Sequence, residues 1–167
     1  EAAAVLCTGH GLLVTIHSGL GMATLVEEDG MCDKEAARIA VRSVAAALRG
    51  LALLLRAGGT CRTKALALPV LKKQGELSHL LKHSRELRTT ASVQAAGCSL
   101  LRALSTAGID VGTDGVDALV AALNAFGELD ASVAREACEA VGTLAANRSL
   151  LKKTLANNVK LVGGLTR

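Results

Sequence analysis

Two histidines have the spacing of a metal-binding pair. His79 and His83 lie four residues apart, which places both imidazoles on one face of a helix. A closed zinc site needs more ligands than these two. A zinc protease would also carry a glutamate directly after the first histidine, where this chain has Leu80. The favoured interpretation is a pair of histidines on the polar side of a basic helix, and no metal or other cofactor is predicted.

Residues 12–25, LLVTIHSGLGMATL, resemble a strand followed by a glycine turn and a helix. Gly19 and Gly21 are present, but no third glycine follows at the offset that a dinucleotide-binding turn requires. A nucleophile elbow at Ser18 would need a glycine two residues earlier, where the chain has Ile16. A loop between packed helices is the favoured interpretation. With no serine–histidine–aspartate set or phosphate-cradling loop elsewhere, the sequence predicts that the protein is not an enzyme.

The cysteines indicate a reducing compartment. They are odd in number, widely spaced and never arranged as CxxC, which is unlike a disulfide scaffold or a zinc knuckle. Reduced, mostly buried thiols are expected, so the glycosylation sequon at residues 147–149 carries no weight. No basic segment precedes an apolar run near the start, and no signal peptide is predicted. We expect an intracellular, cytoplasmic protein, with the nucleus as the alternative compartment. The five cysteines are Cys7, Cys32, Cys61, Cys98 and Cys138.

Composition favours an all-α protein. Half of the 167 residues are apolar, yet Phe126 is the single aromatic residue, so the core must consist of aliphatic side chains. Alanine and leucine are the strongest helix formers, and residues that favour strands are scarce. The longest apolar run, around residues 51–55, is bounded by Arg49 and Arg56 and is too short to span a bilayer.

One pattern occurs repeatedly along the chain. Residues 131–147, ASVAREACEAVGTLAAN, match residues 91–107, ASVQAAGCSLLRALSTA, at an offset of 40. Residues 115–144 also run parallel to residues 19–48, each with a short apolar helix, a polar turn and a longer helix. A small residue recurs at one position of the longer helix, where it allows close helix packing; these residues are Ala37, Gly97 and Ala137. Such units bury their apolar faces only by stacking on one another, which predicts a helical solenoid.

These units resemble the armadillo repeat, in which a short helix and an acidic turn precede a longer helix with small and leucine positions. Residues 145–165 are similar to its continuation into a further copy. The resemblance implies a right-handed α-α superhelix of about three to four repeats, with the related HEAT repeat as the alternative. Residues 1–167 are predicted to form a single domain, partial at both ends and cut from a longer array. Residues 49–75 fit least well and are interpreted as an irregular insertion.

The resemblance implies a binding surface. Armadillo proteins use the concave surface, lined by each repeat's third helix, to hold an extended partner. The tryptophans that clamp peptides in the importin and catenin branches correspond here to Ile39, Ser99 and Glu139. No tryptophan occurs at these positions, and no asparagine at the companion positions, so an importin-like role is disfavoured. The residues predicted to line the groove are Arg42, Ser43, Ser99, Arg102, Glu139 and Thr143.

Charge is unevenly distributed along the chain. Residues 49–88 carry a net charge of +7, whereas the whole chain carries +4. Residues 109–139 are rich in acids. This asymmetry predicts steering of an acidic protein partner. The basic patch predicted to steer comprises Arg62, Lys64, Lys72, Lys73, Lys82, Arg85 and Arg88.

The function predicted from these patterns is a non-catalytic scaffold for a protein partner. No small-molecule ligand and no membrane span are expected. Two alternatives differ in class. A structural subunit would dock through both ends of its array, and a basic solenoid would bind nucleic acid. The nucleic-acid alternative is weakened because the basic segment has no aromatic residue on which bases could stack.

Overall fold

The computed structural model describes residues 34–67, 71, 78, 81–82 and 85–146. These residues form helices and turns, and no strand occurs among them, which confirms the all-α prediction. The superhelical arrangement of repeats stays a prediction. The helices are α1 Lys34–Ala57, α2 Gly59–Leu66, the single turn α3 Arg85–Arg88, α4 Ala91–Thr106, α5 Gly112–Phe126 and α6 Ala131–Ala146.

Helix α1 is amphipathic over its 24 residues. One face is buried and packs on α4, while the opposite face is exposed. The helix ends at Ala57 and is followed by Gly58 and Gly59. Their φ angles of 73° and 53° lie in the left-handed region that glycine adopts without strain. The predicted irregular insertion is helical where it is described, since residues 49–57 complete α1 and residues 59–66 form α2. The buried side chains of α1 include Val44, Leu48, Leu51, Leu54 and Leu55.

Helix α4 lies at the centre of the described structure. It packs against α1 on one side and α6 on the other, and most of its side chains are buried. A polar residue in this position needs partners inside the protein. Gln94 has them, because its Nε2 donates to the carbonyl oxygens of Leu81 and Leu87 at 3.0 Å each. The amide thereby ties α4 to the segment that precedes it.

A close approach on α4 requires glycine. A Cβ built on Gly97 would lie 2.7 Å from Cδ1 of Leu81. That separation is well inside van der Waals contact, so the absence of a side chain allows the residue-81 segment to pack directly on the α4 backbone. The sequence predicted a small residue at this position for close packing, and the structure identifies Leu81 as the neighbour.

Helices α5 and α6 contain 15 and 16 residues and are joined by a polar turn, whereas the sequence predicted a short helix before a longer one. Asp130 directly precedes α6, and its Oδ1 accepts hydrogen bonds from the backbone N–H groups of Ser132 at 2.9 Å and Val133 at 3.1 Å. These contacts satisfy donors that have no partner within the helix. Helices α4 and α6 contain 16 residues each, begin 40 residues apart and pack side by side.

Candidate functional site

Ser99, one of the two serines predicted to line the groove, is buried between two helices. Ser99 on α4 is 8% exposed, and its Oγ accepts a hydrogen bond of 2.8 Å from Nη2 of Arg56 at the end of α1. The sequence placed Ser99 on an open groove surface, and the structure differs because the arginine covers it. The bond satisfies a hydroxyl in an otherwise apolar helix and joins α1 to α4.

Glu136 on α6 lies at the centre of a group of charges. Its Oε2 is 3.6 Å from Nη2 of Arg56 and 3.6 Å from Nη1 of Arg102, while its Oε1 is 3.4 Å from Nη2 of Arg135. The Glu136 side chain is 15% exposed, and Oε2 accepts no hydrogen bond from the described residues. Three guanidinium groups therefore surround one largely buried carboxylate. Their attraction compensates for part of its lost hydration.

A second carboxylate lies at the rim of this group. Glu139 is 43% exposed and accepts a hydrogen bond from Nη1 of Arg102, which is itself 31% exposed. Arg102 thus contacts two acids of α6 from its position on α4. We refer to the whole group, which crosses α1, α4 and α6, as the charge cluster. It consists of Arg56, Ser99, Arg102, Arg135, Glu136 and Glu139.

The other predicted groove residues lie away from the charge cluster or support it. Arg42 is exposed and Ser43 half-buried on α1. They precede Arg56 by nearly four helical turns, a distance of about 20 Å along the axis. Thr143 is half-buried on α6, and its hydroxyl donates to the carbonyl oxygen of Glu139 at 2.8 Å. The structure therefore brings Ser99, Arg102 and Glu139 together and leaves Arg42 and Ser43 apart.

Two members of the predicted basic patch are engaged in internal contacts. Nε of Arg62 donates to the carbonyl oxygen of Leu55 at 3.1 Å, near the end of α1. Nζ of Lys82 pairs with Oδ2 of Asp117 on α5 at 3.3 Å. These contacts hold helix ends and neighbouring segments together. Lys64 and Arg88 are exposed, while Lys72, Lys73 and the side chain of Arg85 lie outside the described residues.

Arg56 and Glu136 were not predicted from the sequence as site residues. Arg56 was counted only as one basic residue of segment 49–88, and Glu136 only as one acid of segment 109–139. A signal for Glu136 was present, because the matching position in the other copy is Ala96, which is buried. A carboxylate in place of a buried alanine requires cations from neighbouring helices.

Cys98 on α4 is a buried thiol that is influenced by the charge of Glu136. Burial, and secondarily the negative charge of Glu136, raises the pKa of the Cys98 thiol to about 12. A thiol with this pKa is neutral at physiological pH and is a poor nucleophile. Cys61, Cys98 and Cys138 are free thiols, but Cys98 alone among these three is buried, whereas mostly buried thiols were predicted.

No metal site is evident among the described residues. Within residues 34–67 and 85–146 and the few described positions between them, no group of three or more histidine, cysteine or acidic residues is placed to hold a metal ion. His79, His83, the glycine-containing stretch 12–25 and the sequon at 147–149 lie outside the described residues. Among the described helices, none combines the length and apolar character needed to cross a membrane.

Comparisons with known proteins return no match. No protein-family model, no curated protein and no solved structure is significantly similar to this chain. The armadillo resemblance therefore rests on the sequence pattern alone.

Proposed function

We propose that this protein is a non-catalytic helical scaffold that holds a protein partner on the surface where α1, α4 and α6 lie side by side. The observation that carries the proposal is the charge cluster. Ser99, Arg102 and Glu139 were selected from sequence as groove residues, and they lie together across neighbouring helices. Because Arg102 and Glu139 are partly exposed, they retain surface that a partner can contact.

The chemistry of the charge cluster suits recognition better than catalysis. Glu136 is already paired with three guanidinium groups and Glu139 with one, so both carboxylates take part in charge pairing. Mutual pairing also restricts these long side chains before a partner arrives. Less conformational entropy is then lost on binding, and the charges act mainly on specificity and association rate.

The proposal is tested by placing a photo-reactive amino acid at position 143, beside Glu139, in the protein expressed in its own cells. Position 124, exposed on α5, serves as the matched control. We expect protein adducts from position 143 that survive nuclease treatment and are at least about tenfold more abundant than those from position 124. A Glu139→Lys substitution should reduce the adducts at position 143, because it reverses a charge at the cluster rim.

Each contrary outcome points to one of the alternative functions. Loss of the adducts on nuclease treatment would indicate that the protein binds nucleic acid and is not a protein scaffold. Equal labelling at both positions would mean that the α1–α4–α6 surface is not the binding surface. A structural subunit that docks through the ends of its array would then be favoured.

A further inference from the structure

The exposed face of α1 carries a regular stripe of side chains. Ile39, Ala46 and Leu53 recur every seven residues, and an arginine follows each of them three residues later. All six positions are exposed, with Ile39 at 54% and Leu53 at 63%. Spacings of three and four residues place them on one face of the helix. We call this face the α1 stripe, and it consists of Ile39, Arg42, Ala46, Arg49, Leu53 and Arg56.

Apart from Arg56, which contacts Ser99 and Glu136, the α1 stripe lies away from the buried face that packs on α4. Val44, Leu48, Leu51 and Leu55 lie on the opposite side of the helix and are buried. A single exposed leucine would need no explanation. Three apolar side chains at heptad spacing, alternating with arginines over about 25 Å, form the kind of seam that a second helix packs against.

We infer that the α1 stripe docks an acidic amphipathic helix of a partner protein. The inference rests on the proposed scaffold function and specifies the chemistry of its partner. Apolar side chains of the partner would lie against Ile39 and Leu53, and carboxylates at the intervening positions would pair with Arg42 and Arg49. Arg56 already pairs with Glu136, so Arg42 and Arg49 provide the selectivity for acids.

Charge complementarity selects this occupant over two others. A second copy of the chain, packed stripe to stripe, would bring three arginines of each copy into one interface, with no acid in either stripe to pair with them. A nucleic acid would neutralise the arginines but leave Ile39 and Leu53 in contact with water or phosphate. The small side chain of Ala46 leaves space between them for a larger apolar residue of an incoming helix. An acidic amphipathic helix satisfies both the apolar and the cationic positions.

The test uses a synthetic 21-residue peptide with leucine at each heptad a position, glutamate at each d position, and alanine or glutamine elsewhere. Binding to the full 167-residue chain is measured by calorimetry at low salt, and helix formation by circular dichroism. We expect saturable binding tighter than about 100 µM. Arg42→Glu/Arg49→Glu should weaken it about tenfold or more. A control variant changes the net charge equally, by four units, at exposed positions on α5 and the turn after it, and should leave binding unchanged: Thr113→Glu/Asn124→Glu/Ala125→Glu/Leu129→Glu.

A peptide of opposite charge tests whether binding depends on pairing with Arg42 and Arg49. A peptide with lysine in place of each glutamate should not bind the unsubstituted chain, but should bind the Arg42→Glu/Arg49→Glu variant. Equal weakening by the control variant, or failure of this swap to restore binding, would overturn the proposed docking site. Absence of binding to the glutamate peptide would overturn it as well. The photo-adduct experiment at position 143 does not depend on this peptide. Adducts at position 143 without peptide binding would refute the docking site and leave the scaffold function standing.

Discussion

At the residue scale, helix α4 shows how polar side chains are buried within an aliphatic core. Gln94 and Ser99 are buried in α4, and each has a hydrogen-bond partner on another segment. Cys98, in the same helix, is buried as a neutral thiol beside Glu136. Gln94 and Ser99 stabilise contacts between segments, whereas Cys98 contributes packing but no reactivity.

The raised pKa of Cys98 predicts a loss of stability at alkaline pH. Its pKa is about 12 in the folded protein and 9.0 when unperturbed, so between these values the unfolded thiol releases its proton first. The free energy of unfolding should therefore be unaffected by this thiol below pH 9. It should fall by about 1.4 kcal/mol per pH unit above that value.

Urea unfolding at several values from pH 8 to pH 10.5 measures this slope, and Cys98→Ala should remove the contribution of Cys98. Cys138→Ala is the matched control, because Cys138 is exposed. Iodoacetamide at pH 8 should label Cys138 in the folded protein and spare Cys98. Equal labelling of the two thiols would contradict the burial of Cys98.

At the element scale, two glycines in α4 and α6 have opposite surroundings. Gly97 is in close contact with Leu81, whereas a Cβ on Gly142 would meet nothing within 4 Å. Glycine lowers helix stability in both places, because it loses more backbone entropy on folding than alanine does. The cost is offset at Gly97 by close packing, and no such packing is found around Gly142.

Substitutions at these glycines should change stability in opposite directions. Gly97→Val should lower the free energy of unfolding by about 2 kcal/mol, because the added methyl groups overlap Leu81. Gly142→Ala should raise it by about 0.5–1 kcal/mol through helix propensity. Urea denaturation of both variants measures the two effects. Destabilisation by Gly142→Ala would indicate that a side chain at position 142 meets another segment of the protein.

At the scale of the whole molecule, the charge cluster joins three helices that no local pattern relates. Arg56 comes from α1, Arg102 from α4, and both carboxylates from α6. The arginines are about one-third exposed and the contacts to Glu136 exceed hydrogen-bond distance, so each pair contributes modestly. Acting on one carboxylate, they hold the three helices at a common surface.

Neutralising the central carboxylate tests this contribution. Glu136→Gln should lower the free energy of unfolding by about 1 kcal/mol, since the attraction to three guanidinium groups is lost. Glu128→Gln, at an exposed turn position, should change it by less than about 0.5 kcal/mol. Combining Glu136→Gln with Arg102→Ala should give less than the sum of the single effects. A more stable Glu136→Gln protein would show that desolvation of the carboxylate outweighs its pairing.

The sequence by itself determined the helical class and the pattern of the helices. Alanine and leucine content indicated helices, and the match at an offset of 40 residues between segments 91–107 and 131–147 located the pair that became α4 and α6. The heptad spacing of the α1 stripe is also contained in the sequence. These features are local, because backbone propensity and periodicity act between residues a few positions apart.

Only the tertiary structure decided which faces meet. It placed Arg56 over Ser99, which therefore is buried rather than open, and it brought Arg56 and Arg102 to Glu136. It also made helices of residues 49–57 and 59–66, where a poor match to the repeat had indicated an irregular insertion. Contacts between distant residues depend on how helices pack against one another, and packing is set by side-chain shape and burial across the whole molecule.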